Sequence, residues 1–570
     1  MLKPFSIIVM CVALAAAAPP QQEPVALELR PVLEAGRYTA LELHLRFRGD
    51  ADGETELRLP NDWGGQVALY RAIRDLSADA EISTGPNEWT RLLRHAPNAT
   101  VNVRYRVVDD GSASRRGGAG NDYRVRIEPD YFFALGDAMI AQPSHISTDT
   151  PAEFAVTGLP EGAAFASDAE HARFGRRLVF GDLIESTTIG GNVRIVDAGG
   201  GARLAIHGAV DARDDNGWRE SFTNIANAQR TYWGADLGAY MVTIIAEAPE
   251  NPGSISVGGT GRGDGFAFFA TANAPPETLD RTLAHEMMHT WVPRRIGRLN
   301  DSPNEAQDYW LSEGFTDWAM MRTLMRSGLW REGDFASVFN EYLRDYDLSP
   351  VHEAPNARIL TDYWNDRDVS DLPYRRGMLL ATYWDAQVRA ATRGRKDFDD
   401  VLLWMQARAR REPRARAVDL LARAMRRVAR LDISADLARL VERGEAAPIP
   451  EDAFGVCGDL AWVEQPEFHR GFDVQATLAA DNIIAGTVVD GPAWRAGLRD
   501  GMRLIGRRGG EIGNPTVEIA YEIEDAQGRR VLSWMPQGAR TVRFRQLNLA
   551  AAQQNGGPGL GPCGRRLAGL

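Results

Sequence analysis

The chain has 570 residues, 44% of them hydrophobic and 25% charged, with a formal net charge of -12. That length exceeds what one core supports and implies several domains. The acidic balance excludes nucleic acid as the main partner, because phosphate binding needs a cationic surface.

Residues 1–18 read as a signal peptide. Lys3 gives a positive start, 5–18 form an apolar stretch too short to span a bilayer, and small residues lead into Pro19 and Pro20. No other run is apolar enough to cross a membrane, so the expectation is an exported protein, periplasmic or secreted, without a transmembrane anchor after signal cleavage. Removal of Cys11 leaves Cys457 and Cys563, which are expected to form a disulfide in an oxidising compartment.

Residues 24–210 are expected to form an N-terminal all-β domain. VALELRPVLE, YTALELHLRFRG, TVNVRYRVVD and GARLAIHG alternate apolar with polar residues, the period of a half-buried strand. From 211 to 448 the pattern becomes α+β. The short apolar strands YMVTIIAE and GFAFFATA precede a mostly helical second half. Residues 449–570 form a third, β-rich unit. Its stretch NIIAGTVVDGPAWRAGLRDGMRLIG reads as a strand, a Gly-Pro turn, a short helix and a strand. At Gly491, Pro492, Ala493, Ala496, Gly497, Leu498 and Gly501 it resembles a PDZ domain. FHRGFDV (468–474) stands where a PDZ carboxylate-binding loop precedes its peptide-binding strand. The resemblance implies a C-terminal peptide as ligand of this unit. The terminal GLGPCGRRLAGL reads as a loop-like tail.

The chemistry concentrates in LAHEMMHTWVPRR (283–295). Residues four apart share a helix face, which lets His285 and His289 reach one metal ion. Glu286, one residue on, is rotated about 100° and reaches a metal-bound water as general base. Pro276 and Glu277 suit the start of the helix that this motif needs. Met287 and Met288 read as core. A catalytic zinc has three protein ligands and one open position. A third histidine six residues after His289 is absent, since Arg295 stands there, and Val292 replaces the glycine of that pattern. The third ligand is therefore sought on a second helix, where YWLSEGFTDWAMM supplies Glu313. Glu305 and Asp308, in a loop-like stretch, are rival ligands. Asp317, one turn after Glu313, is placed to accept from the second nitrogen of His285.

HEMMHTWVPRRI followed by WLSEGFTDW resembles the glycyl aminopeptidase family of gluzincin metallopeptidases. The resemblance implies a β domain, a thermolysin-like catalytic domain and a PDZ domain in that order. It also implies one Zn2+ per chain, held by His285, His289 and Glu313, with Glu286 as base. In related aminopeptidases a tyrosine precedes a basic-Gly pair on a later helix, and PYRRGMLLATYW makes Tyr374 the candidate oxyanion donor. Tyr309, Tyr363 and Tyr383 are weaker candidates. The family carries a Gly-Gly-x-Glu-His stretch upstream, and in related aminopeptidases the equivalent glutamate helps grip the substrate's free amine. Here VGGTGRGDGFAFF keeps Gly258 and Gly259 as substrate-binding residues, but Gly261 and Arg262 take the Glu and His places, and Asp264 is a displaced carboxylate.

These readings converge on a zinc-dependent peptidase acting on peptides or proteins, with aminopeptidase and endopeptidase action both open. The second reading is a PDZ-containing peptide-binding scaffold with lost activity. Such a scaffold is expected to lose a ligand or the base, yet His285, Glu286, His289, Glu313 and Asp317 are all present.

Overall fold

The computed structural model describes residues 23–111, 116–117, 123–170, 175, 177–210, 213–234, 237–249, 254–263, 265–301, 303–550 and 560–570. The 1–18 segment and Asp264 lie outside them.

The N-terminal unit is built from strands whose alternate residues face inward. In Arg37–Arg48, Leu41, Leu43, Leu45 and Phe47 are buried while Arg46 and Arg48 are exposed. This strand lies inside a sheet ordered Ala152–Val156, Val25–Glu34, Arg37–Arg48, Thr100–Val107 and Ile73–Ala78. Smaller sheets continue the same core through Phe132, Phe133 and Ile189.

A second sheet carries the middle unit, in the order Arg194–Gly199, Ala202–His207, Tyr240–Pro249, Gly265–Thr271 and Val257–Arg262. Its three inner strands run parallel and are apolar almost throughout, as strands covered on both faces must be. The first two strands precede residue 211. The segment read as a β domain over 24–210 thus gives its last hairpin to this second sheet. GARLAIHG alternates like a half-buried strand, but Ala202–His207 is covered on both faces, and its neighbour is Tyr240–Pro249.

Val257–Arg262 is the edge strand of this sheet, paired with Gly265–Thr271 on one side. Beneath it runs the motif helix, Pro276–Met288, with Pro276 at its first position and Glu277 in its first turn. Leu279, Leu283, Ala284, Met287 and Met288 bury one face of it. The next helix, Tyr309–Ser327, is buried nearly all round and packs against the long helix Arg367–Thr392. The two backbones meet at Gly314 and Gly377. A Cβ on Gly377 would lie 1.8 Å from the Trp310 carbonyl oxygen, and one on Gly314 would lie 2.2 Å from the Gly377 Cα. Only glycine permits this approach, which sets Glu313 and Tyr374 on neighbouring turns at the crossing.

In the C-terminal unit, Gly458–Phe468 pairs antiparallel with Gln537–Leu549. This ribbon docks on the helix Glu332–Asp347, where Arg545 meets Asp347 at 2.6 Å and the Asn340 side chain donates to the Leu547 carbonyl. A small core of Phe472, Ile484, Leu498, Tyr521 and Trp534 supports a three-stranded sheet. The residues after the 468–474 loop form a helix, Val474–Ala479, instead of the extended strand expected from the PDZ resemblance. Asp473 caps it by accepting from the Ala476 amide, a local bond that favours helix over strand. The chain end is also a helix, Pro562–Ala568, and not a loop. Pro562 is its first residue, and the buried sulfurs of Cys563 and Cys457 are bonded. Arg566 donates to the Ala453 carbonyl within the unit, and Arg326 donates to the Gly569 carbonyl, which ties the chain end to the middle unit.

Candidate metal centre and active site

The motif helix projects His285 and His289 from the same face, with ring centroids 4.9 Å apart. Both rings have their Nδ1 atoms engaged. His285 Nδ1 lies 2.8 Å from Asp317 Oδ1, and His289 Nδ1 lies 3.0 Å from the Val292 carbonyl oxygen. With Nδ1 as the donor in each, the Nε2 lone pairs are left to face one point. Glu313 Oε2 completes that point, 3.5 Å from His285 Nε2 and 3.4 Å from His289 Nε2. These separations are too long for good hydrogen bonds. They match the spacing of ligand atoms held about 2.1 Å from one tetrahedral ion, which is about 3.4 Å. Two imidazoles and one carboxylate are a zinc donor set. Among the described residues, His285, His289 and Glu313 are the group able to hold a metal ion. The rivals are engaged elsewhere: Asp308 accepts from the Asn300 amide and pairs with Arg416. Glu305 is outside the group.

Burial sets the electrostatics. It disfavours the charge of Glu313, but His289 and His285 outweigh this and hold the carboxyl well below the usual range. Burial likewise opposes charge on His285, and Asp317, Glu313 and Glu286 more than compensate. Glu286 is 8% exposed, and burial raises its carboxyl above the ordinary glutamate value despite both histidines. A raised carboxylate at this position suits a general base.

Tyr374 lies beside the motif, its ring 6.0 Å from that of His285 and tilted by 28°. Burial, then the Glu313 and Tyr363 charges, push its hydroxyl well above its ordinary value, so it remains a neutral donor. Tyr363 reaches the Tyr374 hydroxyl at 3.5 Å, and Tyr309 packs on Tyr363. Tyr383 is farther along the long helix and faces Asp436.

Gly258 and Gly259 line the same cavity of about 580 Å³ as His285, Glu286, Asp317 and Tyr374. The edge strand lies tight on the motif. A Cβ on Gly259 would be 3.0 Å from Glu286 Cγ, and one on Gly261 would be 3.2 Å from the Cβ of His289. Arg262, in the place of the expected histidine, turns away from the metal centre. Its Nη2 lies 2.5 Å from Asp137 Oδ2, its Nε donates to the Glu185 carbonyl, and its guanidinium covers Trp63 at 4.5 Å. The cavity also contains Tyr123, whose hydroxyl donates to the Gly259 carbonyl at 2.8 Å. Nothing local in the sequence marks Tyr123; it is 136 residues from its partner and joins the site only through the packing of the two units.

The M61 glycyl aminopeptidase family model matches residues 278–366. That span holds the motif helix from its first turn, Glu313 and Asp317. An aminopeptidase N family protein from Idiomarina loihiensis has a similar fold, with a TM-score of 0.65 at 15% identity, over 91% of this chain and 97% of that one. An M1 zinc metallopeptidase from Deinococcus radiodurans aligns with a TM-score of 0.47 at 15% identity, over 76% of this chain and 96% of that one. No curated protein matches the sequence. The family match spans both helices of the site, and the likeness to the Idiomarina loihiensis protein is one of fold.

Proposed function

We propose that the protein is an exported zinc peptidase that shortens peptides from the amino terminus. The observation that carries this reading is Glu313 Oε2 at 3.5 and 3.4 Å from His285 Nε2 and His289 Nε2, the three ligand atoms within 4.8 Å of one another, beside a buried Glu286. His285, His289 and Glu313 would hold the zinc, which would supply Lewis acidity toward the scissile carbonyl and the attacking water. Glu286 accepts the proton of that water and passes it to the leaving amine. The Tyr374 hydroxyl donates to the oxyanion of the tetrahedral intermediate, and its neutrality lets it do so without opposing the metal's charge. Asp317 fixes the His285 tautomer. Gly258 and Gly259 supply the backbone edge against which an extended peptide lies.

Export is supported by the composition of residues 1–18 and by the Cys457–Cys563 bond. No described helix is long and apolar enough to cross a membrane. A PDZ-like capture of peptide C-termini by the C-terminal unit has the support of its 491–501 motif alone.

The test is Glu286→Gln. We expect the variant to retain its zinc and lose at least about a thousandfold in turnover of a free-amine peptide, the scale on which a base essential to the reaction acts. Retained turnover would remove Glu286 from the mechanism.

A further inference from the structure

The edge strand Val257–Arg262 has one ladder partner, Gly265–Thr271, and its other side borders the cavity above the motif helix. A peptide that adds to such an edge needs the strand's backbone donors and acceptors. At Gly259, directly over Glu286, the acceptor is already engaged by the Tyr123 hydroxyl. Tyr123 is fixed from behind. Its ring meets Trp63 edge-on at 5.4 Å and Phe269 at 6.2 Å, and a Cβ on Gly64 would lie 2.8 Å from it. One residue past Gly261 the strand is fastened to the N-terminal unit through Arg262, Asp137 and Trp63. Along this strand the cavity is lined by Val257, Gly258 and Gly259, and not by Gly261 or Arg262. From Glu286 it runs past Gly258 and Val257 to Ile255 and Thr278.

We propose that Tyr123 is a specificity-determining residue, which closes the groove at Gly259 so that only the terminal residue of a peptide fits beyond the scissile bond. This rests on the peptidase reading above and adds the device that makes it an exopeptidase. A groove with one open end takes the chain after the scissile bond on that side and leaves the closed end for a single residue. The terminus is then selected by the wall that Tyr123 forms, in a site whose strand carries Gly261 where a glutamate could grip the amine. An acetyl group or a preceding residue would have to occupy the space of the Tyr123 ring and compete for the Gly259 carbonyl.

The experiment compares one peptide with a free amine and the same peptide N-acetylated, with products identified by mass spectrometry. Wild type is expected to release residues one at a time from the free peptide and to leave the acetylated one intact. Tyr123→Ala is expected to raise cleavage of the acetylated peptide relative to the free one at least tenfold, with unchanged zinc content. Tyr123→Leu keeps the apolar contact with Trp63 and Phe269 but cannot reach Gly259; it serves as the fold-preserving variant and is expected to move the ratio the same way. Wild-type cleavage of the acetylated peptide at a comparable kcat/KM would overturn the inference, as would an unchanged ratio in folded Tyr123→Leu. Wild-type, zinc-loaded protein that cleaves neither peptide would overturn the peptidase reading and this inference with it.

Discussion

Asp317 offers a direct probe of how the second helix supports the metal. Its side chain is 4% exposed, and its Oδ1 lies 2.8 Å from His285 Nδ1. Water therefore screens the pair little, and the carboxylate both orients the ring and makes its far nitrogen a better donor to zinc. Asp317→Asn keeps an acceptor at the same distance but removes the charge. Asp317→Ala removes both and leaves His285 free to take the other tautomer. Loss of such a support costs 10–100-fold in metal affinity, roughly 1.4–2.7 kcal/mol. Asn should fall near the lower bound and Ala near the upper. The assay is a zinc titration against a competing chelator, with the fold checked by circular dichroism. Affinities within about twofold of wild type for both variants would refute the reasoning, because the hydrogen bond would then have no bearing on the ligand it touches.

Tyr374→Phe should lower kcat roughly 100-fold or more, the scale on which one oxyanion donor acts, with a much smaller change in KM. Equal turnover would assign the hydroxyl to packing with Tyr363. Replacing Cys457 and Cys563 together by Ser opens a loop with a separation of 106 residues. It should destabilise the C-terminal unit by roughly 2–5 kcal/mol, measured by denaturant unfolding. An unchanged midpoint would show that the docked helix Pro562–Ala568 holds the unit without its covalent tie.

The parts of the site visible in the sequence are those that obey a helical period. His285 and His289 share a face at four residues, and Asp317 follows Glu313 by the same interval, so each pair is legible before any fold is known. What escaped depends on packing between distant segments. Arg262 reads as a lost histidine, and only the fold shows it joined to Asp137, 125 residues away. The Gly314–Gly377 crossing explains why Tyr374 stands by Glu313, but neither glycine carries a local signal. The hairpin Arg194–Gly199 and Ala202–His207 alternates like its predecessors, and its membership of the second sheet is set by pairing with Tyr240–Pro249. In the C-terminal unit the PDZ resemblance places a strand after the 468–474 loop, whereas the Asp473 cap starts a helix there.

The central claim is that one zinc ion at His285, His289 and Glu313 makes this chain a peptidase. It is tested most directly by titrating metal-free protein with zinc while following hydrolysis of a free-amine peptide. The account predicts no hydrolysis without zinc and a linear rise that ends at one equivalent. Full activity in the metal-free protein, or no activity at saturation, would contradict it.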